Sequence, residues 1–204
     1  MYIPDIYKNE NQGEINNFLQ KNSFGILVNQ TNGKLWATHI PLELDVNKNG
    51  KQVLFGHLSK ENPQWESFAD NDKVLAIFTG PHSYISSSWY DHENVPTWNY
   101  IAVHIYGTIK IIEGEAVIES LKKLVDKYEK NSEKPVRVED LSQKTMMHTR
   151  GIVAFEIEID EIQAQHKLSQ NRDDKNYDNI ISELKKTENH QATAIASEMS
   201  KCKK

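Results

Sequence analysis

Arginine is scarce in this chain: only Arg137, Arg150 and Arg172 occur among 204 residues, and none precedes position 137. The formal net charge is −5. Affinity for nucleic acid rests largely on Lys and Arg neutralising phosphates, so this balance argues against a nonspecific DNA binder. Only a local basic patch would escape that argument. Cysteine is scarcer still. Cys202 is the single one, which excludes an internal disulfide and fits a reducing compartment. Long apolar runs are absent. Val74–Phe78 is typical of the longest, far short of the roughly 20 residues that a membrane helix needs. The opening stretch, Met1–Gln12, is polar and holds Pro4, Asp5 and Glu10, unlike a secretion signal. The expectation is a cytoplasmic protein with no membrane partner. Spacings such as His-x-His or HExxH are missing, so no metal site is expected. No nucleophile–base pair or paired carboxylate stands out, and hydrolytic catalysis finds no support.

What is present is a strand-rich pattern punctuated by turn signals. Ile15, Phe18 and Leu19 fall at helical spacing and predict a short amphipathic helix over Gly13–Lys21. Ser23–Gln30 and Lys34–Pro41 are β-rich runs flanking Asn32-Gly33, a pair suited to a tight turn with positive φ. A second Asn-Gly, Asn49-Gly50, separates Pro41–Val46 from a strand at Gln52–Leu58. Ser59–Asp70 reads as a short helix with Pro63 in its first turn. Lys73–Thr79 reads as a buried strand, Pro81–Pro96 as the longest irregular segment, and Thr97–Ile112 as a long alternating strand. Val117, Leu121, Leu124, Val125 and Tyr128 mark a helix over Glu115–Lys130. Gly151–Asp160 alternates cleanly, with Val153, Phe155, Ile157 and Ile159 on one face. Six or seven strands with inserted helices and no regular βαβ alternation predict an α+β barrel.

Several segments are denser in polar and aromatic residues than packing requires: ATHIPL (37–42), GHLSKENPQW (56–65), the run from Phe78 through Gly80-Pro81-His82-Ser83 to Ser88-Trp89-Tyr90, VPTWNYIAVHIYG (95–107) and KLSQNR (167–172). In this order the series resembles the PaiB-like family of FMN-binding split-barrel proteins, from Met1-Tyr2-Ile3-Pro4 to Arg172. One position departs: members often carry Pro before the Ser-Trp-Tyr triplet, where Ser87 stands here. The resemblance implies a split β-barrel with peripheral helices, a homodimer, bound FMN and a role as a negative transcriptional regulator. It also implies a domain over 1–172 and a helical C-terminal tail over 173–204 that is not an independent domain.

The flavin phosphate, a dianion, asks for Lys, Arg, Ser, Thr, His or backbone N–H donors. Thr38, His39, Lys60, Ser83 and Ser86 are candidates for it or for the ribityl chain, and His57 belongs to the same implied set. Trp65, Trp89 or Trp98 would wall the ring, and Asn62, Gln64 or Asn99 would serve its polar edge. Lys167 and Arg172 would line a barrel mouth, with Asn171 capping the helix that follows. The arginine-rich phosphate cradle of pyridoxamine-phosphate oxidases is missing. Two other functions stay open at this point, a flavin-dependent oxidoreductase and a non-catalytic flavin- or haem-binding protein.

Asp178–Lys186 and Gln191–Lys201 superficially resemble a helix-turn-helix, with Gln191, Thr193 and Ser197 left to read bases. The second helix lacks arginine, and Ala192, Ile195, Ala196 and Met199 form a packing stripe. Direct DNA binding is therefore expected to be weak or indirect. Since the resemblance stops at Arg172, removing Glu188–Lys204 is expected to leave the fold intact.

Overall fold

The structure, a computed structural model, describes residues 1–69 and 72–202. In chain order the elements are α1 (Gln12–Lys21), β1 (Phe24–Thr31), β2 (Lys34–Pro41), β3 (Glu43–Val46), β4 (Gln52–Ser59), β5 (Lys73–Ile85), β6 (Thr97–Ile112), α2 (Glu115–Glu129), α3 (Gln143–Met146), β7 (Ile152–Lys167), α4 (Asp174–Lys186) and α5 (His190–Lys201), with short 3-10 turns between several of them. The strands form one sheet in the order β2-β1-β5-β6-β7-β4-β3. The chain divides into two compact units, one of residues 1–18, 78–104 and 163–204, the other of residues 19–77 and 105–162. For brevity these are the terminal unit and the central unit.

In the central unit, local sequence sets the hairpins. Asn32 and Gly33 take φ values of 52° and 76°, which only such residues adopt readily, and the turn pairs Thr31 with Lys34 and Phe24 with Pro41. The expected helix around Pro63 is a 3-10 turn, Pro63–Ser67; Asp70, the end predicted for it, lies outside the described residues. β4 pairs antiparallel with β7, Gly56 opposite Phe155. Leu42, Leu54, Leu58, Phe155 and Ile157 are fully buried, and Phe68 meets Phe155 edge-on at 5.6 Å. Along α2, Lys127 pairs with Glu43 at 2.5 Å and Lys123 pairs with Asp45, while Tyr128 Oη lies 2.8 Å from Ser23 Oγ. Exposed pairs of this kind contribute about 1 kcal/mol or less each. They register the helix more than they stabilise it.

In the terminal unit, three sequence expectations need correction. β5 does not stop before Gly80-Pro81 but continues to Ile85. Proline keeps an extended φ and forfeits only its N–H, so it interrupts a strand less than local composition suggests. β7 likewise runs on to Lys167, which puts that lysine at a strand end. The cap of α4 is Asp173, whose carboxylate accepts from Asn176 N at 3.0 Å, and not Asn171.

The C-terminal helices also carry more of the core than expected. Ala192, Ile195, Ala196 and Met199 of α5 are at most 2% exposed, beside the buried Ile180 and Leu184 of α4. Tyr177 Oη donates to Met199 O at 2.9 Å. That packing argues against the expectation that Glu188–Lys204 is dispensable. No helix among the described residues is long and apolar enough to cross a membrane.

Candidate functional site

Four of the predicted residues form two hydrogen-bonded pairs in the central unit, Asn62 with Thr38 and Trp65 with Lys60. Asn62 Nδ2 donates to Thr38 Oγ1 at 2.9 Å, while its Oδ1 accepts from Gln64 N at 3.1 Å and caps the 3-10 turn. Pro63 starts that turn because a helix start needs no N–H there. Lys60 is clamped through its backbone: its N–H donates to Gly151 O at 2.9 Å, and its C=O accepts from Trp65 Nε1 at 3.0 Å. Its side chain is exposed, and no ion pair joins its ammonium to a carboxylate among the described residues. A cation with a fixed base and an uncommitted head meets an anion with less ordering than a free chain would require.

Gln64 is fully buried and fastens the turn to β1 through Leu27 O (3.1 Å) and Asn29 Oδ1 (2.9 Å). His39 follows Thr38 on β2, so strand alternation turns the two side chains to opposite faces. It is exposed, its ring 6.4 Å from that of Phe24. His57 is half-buried on β4, and burial pushes its imidazole below the usual histidine range.

The remaining candidates belong to the terminal unit, in two groups. Trp98 is 52% exposed and meets Tyr84 edge-on at 6.0 Å, with His82 at 6.2 Å. Alternation sends its neighbours Thr97 and Asn99 to the other face of β6. There Lys167 Nζ donates to Thr97 Oγ1 at 2.6 Å, and Asn99 exchanges hydrogen bonds with Ser169 Oγ at 3.0 and 3.1 Å. Asn99 is fully buried, and its amide also reaches Met199 Sδ. Ser83 Oγ donates to Tyr84 O at 3.3 Å. Ser86 Oγ accepts from Ser88 N and caps the 3-10 turn Ser87–Trp89. Arg172 lies over the ring of Tyr90 at 5.0 Å.

Sequence reasoning passed over two features here. One is Tyr90, whose buried hydroxyl lacks a hydrogen-bond partner among the described residues; the signal was its place in the Ser-Trp-Tyr triplet. The other is Ser169, held at φ 62°, which no local composition announces. His104 Nδ1 is also buried without a partner among the described residues, and burial lowers that imidazole's pKa. Among the described residues no group of three or more His, Cys, Asp or Glu is placed to hold a metal ion.

Residues 1–161 match a family model described as "Putative FMN-binding domain". The chain is 46% identical over 197 residues to "Protease synthase and sporulation protein PAI 2" of Bacillus subtilis strain 168, covering 96% of this chain and 95% of that one. That coverage carries the likeness past Arg172 into the C-terminal helices. Among solved structures, it resembles a FAD- and haem-binding protein from Mycobacterium smegmatis with a TM-score of 0.61, 16% identity and coverage of 79% and 73%. It also resembles the flavocytochrome Anf3 from Azotobacter vinelandii, with a TM-score of 0.62, 16% identity and coverage of 84% and 75%. At such identities the structures speak to fold alone: the expected α+β split barrel is the fold they share, and this chain carries the expected peripheral and C-terminal helices.

Proposed function

The chain belongs to the FMN-binding-domain family, the PaiB-like group its motifs resemble, and on that premise we propose that it is an FMN-binding negative transcriptional regulator. The observation that carries this reading is the 46% identity with the PAI 2 protein across nearly the whole of both chains. That relative's name points to protease synthesis and sporulation as the processes regulated.

The donors around Asn62 fit the flavin phosphate. Thr38 Oγ1 accepts from Asn62 and keeps its own proton to donate. Lys60 supplies a positive charge with no carboxylate of its own. When bound, FMN supplies redox chemistry at its ring, and the chain supplies placement and charge. The protein is a homodimer in this reading, with the exposed Trp98, Tyr84 and Val95 as part of the buried face, since aromatic residues are enriched at interfaces.

In an FMN titration followed by flavin fluorescence, Lys60→Ala is expected to weaken binding about tenfold or more, as loss of a charge-assisted contact does. His39→Ala, on the opposite face of β2, is expected to leave affinity within about twofold. Light scattering on the same sample should give twice the 23.5 kDa of one chain. No FMN uptake by the wild type, or equal losses in the two variants, rules out this phosphate site.

Contact with DNA is weak or indirect in this reading. On α4 and α5 the cations Lys185, Lys186 and Lys201 are interspersed with Glu183, Glu188 and Glu198, and Lys186 and Lys201 already pair with Glu183 and Glu198. Lys203 and Lys204, which would add to them, lie outside the described residues. In a strain lacking PAI 2 the chain should restore repression, while the purified protein shows no tight binding to random duplex at physiological salt. Nanomolar, sequence-selective gel shifts with a log–log salt slope of several times about −0.9 would reverse this view.

A further inference from the structure

The terminal unit contains two cations without a carboxylate partner and one buried hydroxyl without a hydrogen-bond partner among the described residues. Lys167 is half-buried at the end of β7 and, among the described residues, hydrogen-bonded only to the neutral hydroxyl of Thr97, at 2.6 Å. Arg172 packs its guanidinium on the Tyr90 ring at 5.0 Å. No ion pair joins either cation to a carboxylate among the described residues. Of the acids nearby in sequence, Asp174 is exposed in the first turn of α4, and Asp173 and Asp91 are committed elsewhere. Asp173 caps α4 through Asn176, and Asp91 takes hydrogen bonds from Lys175, Asn176 and His92. Burial first, then the charge of Arg172, holds the Lys167 ammonium below the usual lysine range. Tyr90 is 9% exposed, and its Oη is buried with no hydrogen-bond partner among the described residues.

Each of these is unfavourable in an empty protein. Like charges repel, and an unmet buried hydroxyl forfeits the hydrogen bonds it made in water. The turn between the cations is nonetheless held stiffly. Ser169 sits at φ 62°, a conformation that strains a residue with a Cβ, and its Oγ is locked to Asn99. Arg172 N–H donates to Ser169 O at 3.0 Å, Leu168 is fully buried, and Gln170 closes the turn on Leu168 N at 2.7 Å. Strain fixed by surrounding contacts is a common mark of a ligand-holding segment.

We propose that Lys167, Arg172 and the Tyr90 hydroxyl form a site for the oxyanion of a small ligand, a carboxylate or a phosphate, separate from the one assigned above to the flavin phosphate. The guanidinium presents its paired N–H groups to two oxygens, Lys167 neutralises the charge, and Tyr90 Oη donates the third hydrogen bond. An anion there removes the repulsion and the unmet donor together.

Inorganic phosphate and acetate, each titrated calorimetrically against chloride at matched ionic strength, test this on the full-length protein. At least one is expected to bind saturably, and the tighter of the two tells phosphate from carboxylate. Arg172→Leu and Lys167→Met should weaken that binding about tenfold or more, the range for lost charged hydrogen bonds. Lys60→Ala should leave the component that is sensitive to Arg172→Leu unchanged. Tyr90→Phe supplies the check on folding: it should weaken binding several-fold yet leave the ligand-free Tm equal or higher, since the hydroxyl it removes has no partner. No saturable binding of either anion, or binding insensitive to Arg172→Leu and Tyr90→Phe, overturns the site. Binding lost in Lys60→Ala alone overturns it too, because the anion then occupies the flavin-phosphate position.

Discussion

Ending the chain at Thr187, which removes α5, is expected to abolish cooperative folding of the terminal unit. The deletion strips Ile195, Met199, Ala192 and Ala196 from its core and exposes Ile180 and Leu184, which are fully buried in the intact chain. Truncating a single buried Ile or Met to Ala costs about 2–5 kcal/mol, so losing both, before the rest of the helix is counted, removes a large share of the roughly 5–15 kcal/mol by which domains are stable. Polar partners go as well. Asn99 loses Met199 Sδ, and Tyr177 Oη, whose burial pushes its pKa up to about 12, loses Met199 O. Urea unfolding followed by near-ultraviolet circular dichroism is the measurement. A truncated chain with an unchanged midpoint would refute it. Met199→Ala is the graded version, with an expected loss of about 2–4 kcal/mol.

Gly107→Ala is expected to be the most damaging single-methyl change in the central unit. Gly107 is buried on β6, and a Cβ built there falls inside the contact radius of the Glu158 carbonyl oxygen on β7 and 2.5 Å from Ile157 Cγ2. The obstacle is backbone, so no rotamer change relieves it. β6 and β7 are neighbours in the sheet, and they must part to admit the methyl. The expected cost is about 2–4 kcal/mol, at the upper end for overpacking. Gly151→Ala is the control: nothing lies within 4 Å of the added methyl, and the change should stay within about 0.5 kcal/mol. Equal thermal midpoints for the two variants would show that the strands accommodate a side chain at 107.

Much of the candidate site was legible in the sequence as residue types, and little of it as geometry. Thr38, Lys60, Asn62 and Trp65 were picked out by their motifs, and hydrogen bonds join Thr38 to Asn62 and Lys60 to Trp65. Asn99 was picked out on the same grounds, yet its amide is spent on Ser169 and Met199. Nothing in VPTWNY distinguishes an amide that faces a ligand from one that closes a core. Thr38 and His39 were grouped as neighbours, although on a strand adjacent residues face apart.

The sequence by itself determined the features that depend on a few adjacent residues. Asn32-Gly33 sets the first hairpin because the turn needs positive φ, and the alternation of Thr97–Ile112 gives β6 to the residue. The apolar spacing of Glu115–Glu129 gives α2, and the ordered motifs give the family. Tertiary structure decided the rest. β5 runs through Pro81, β7 extends to Lys167, α5 becomes core, and Tyr90 comes to lie beneath Arg172. Each of these turns on partners distant in the chain, as Asn99 with Met199 and Tyr90 with Arg172 are. The free energy of such contacts exceeds local backbone preference, and it belongs to neither partner's surrounding sequence alone.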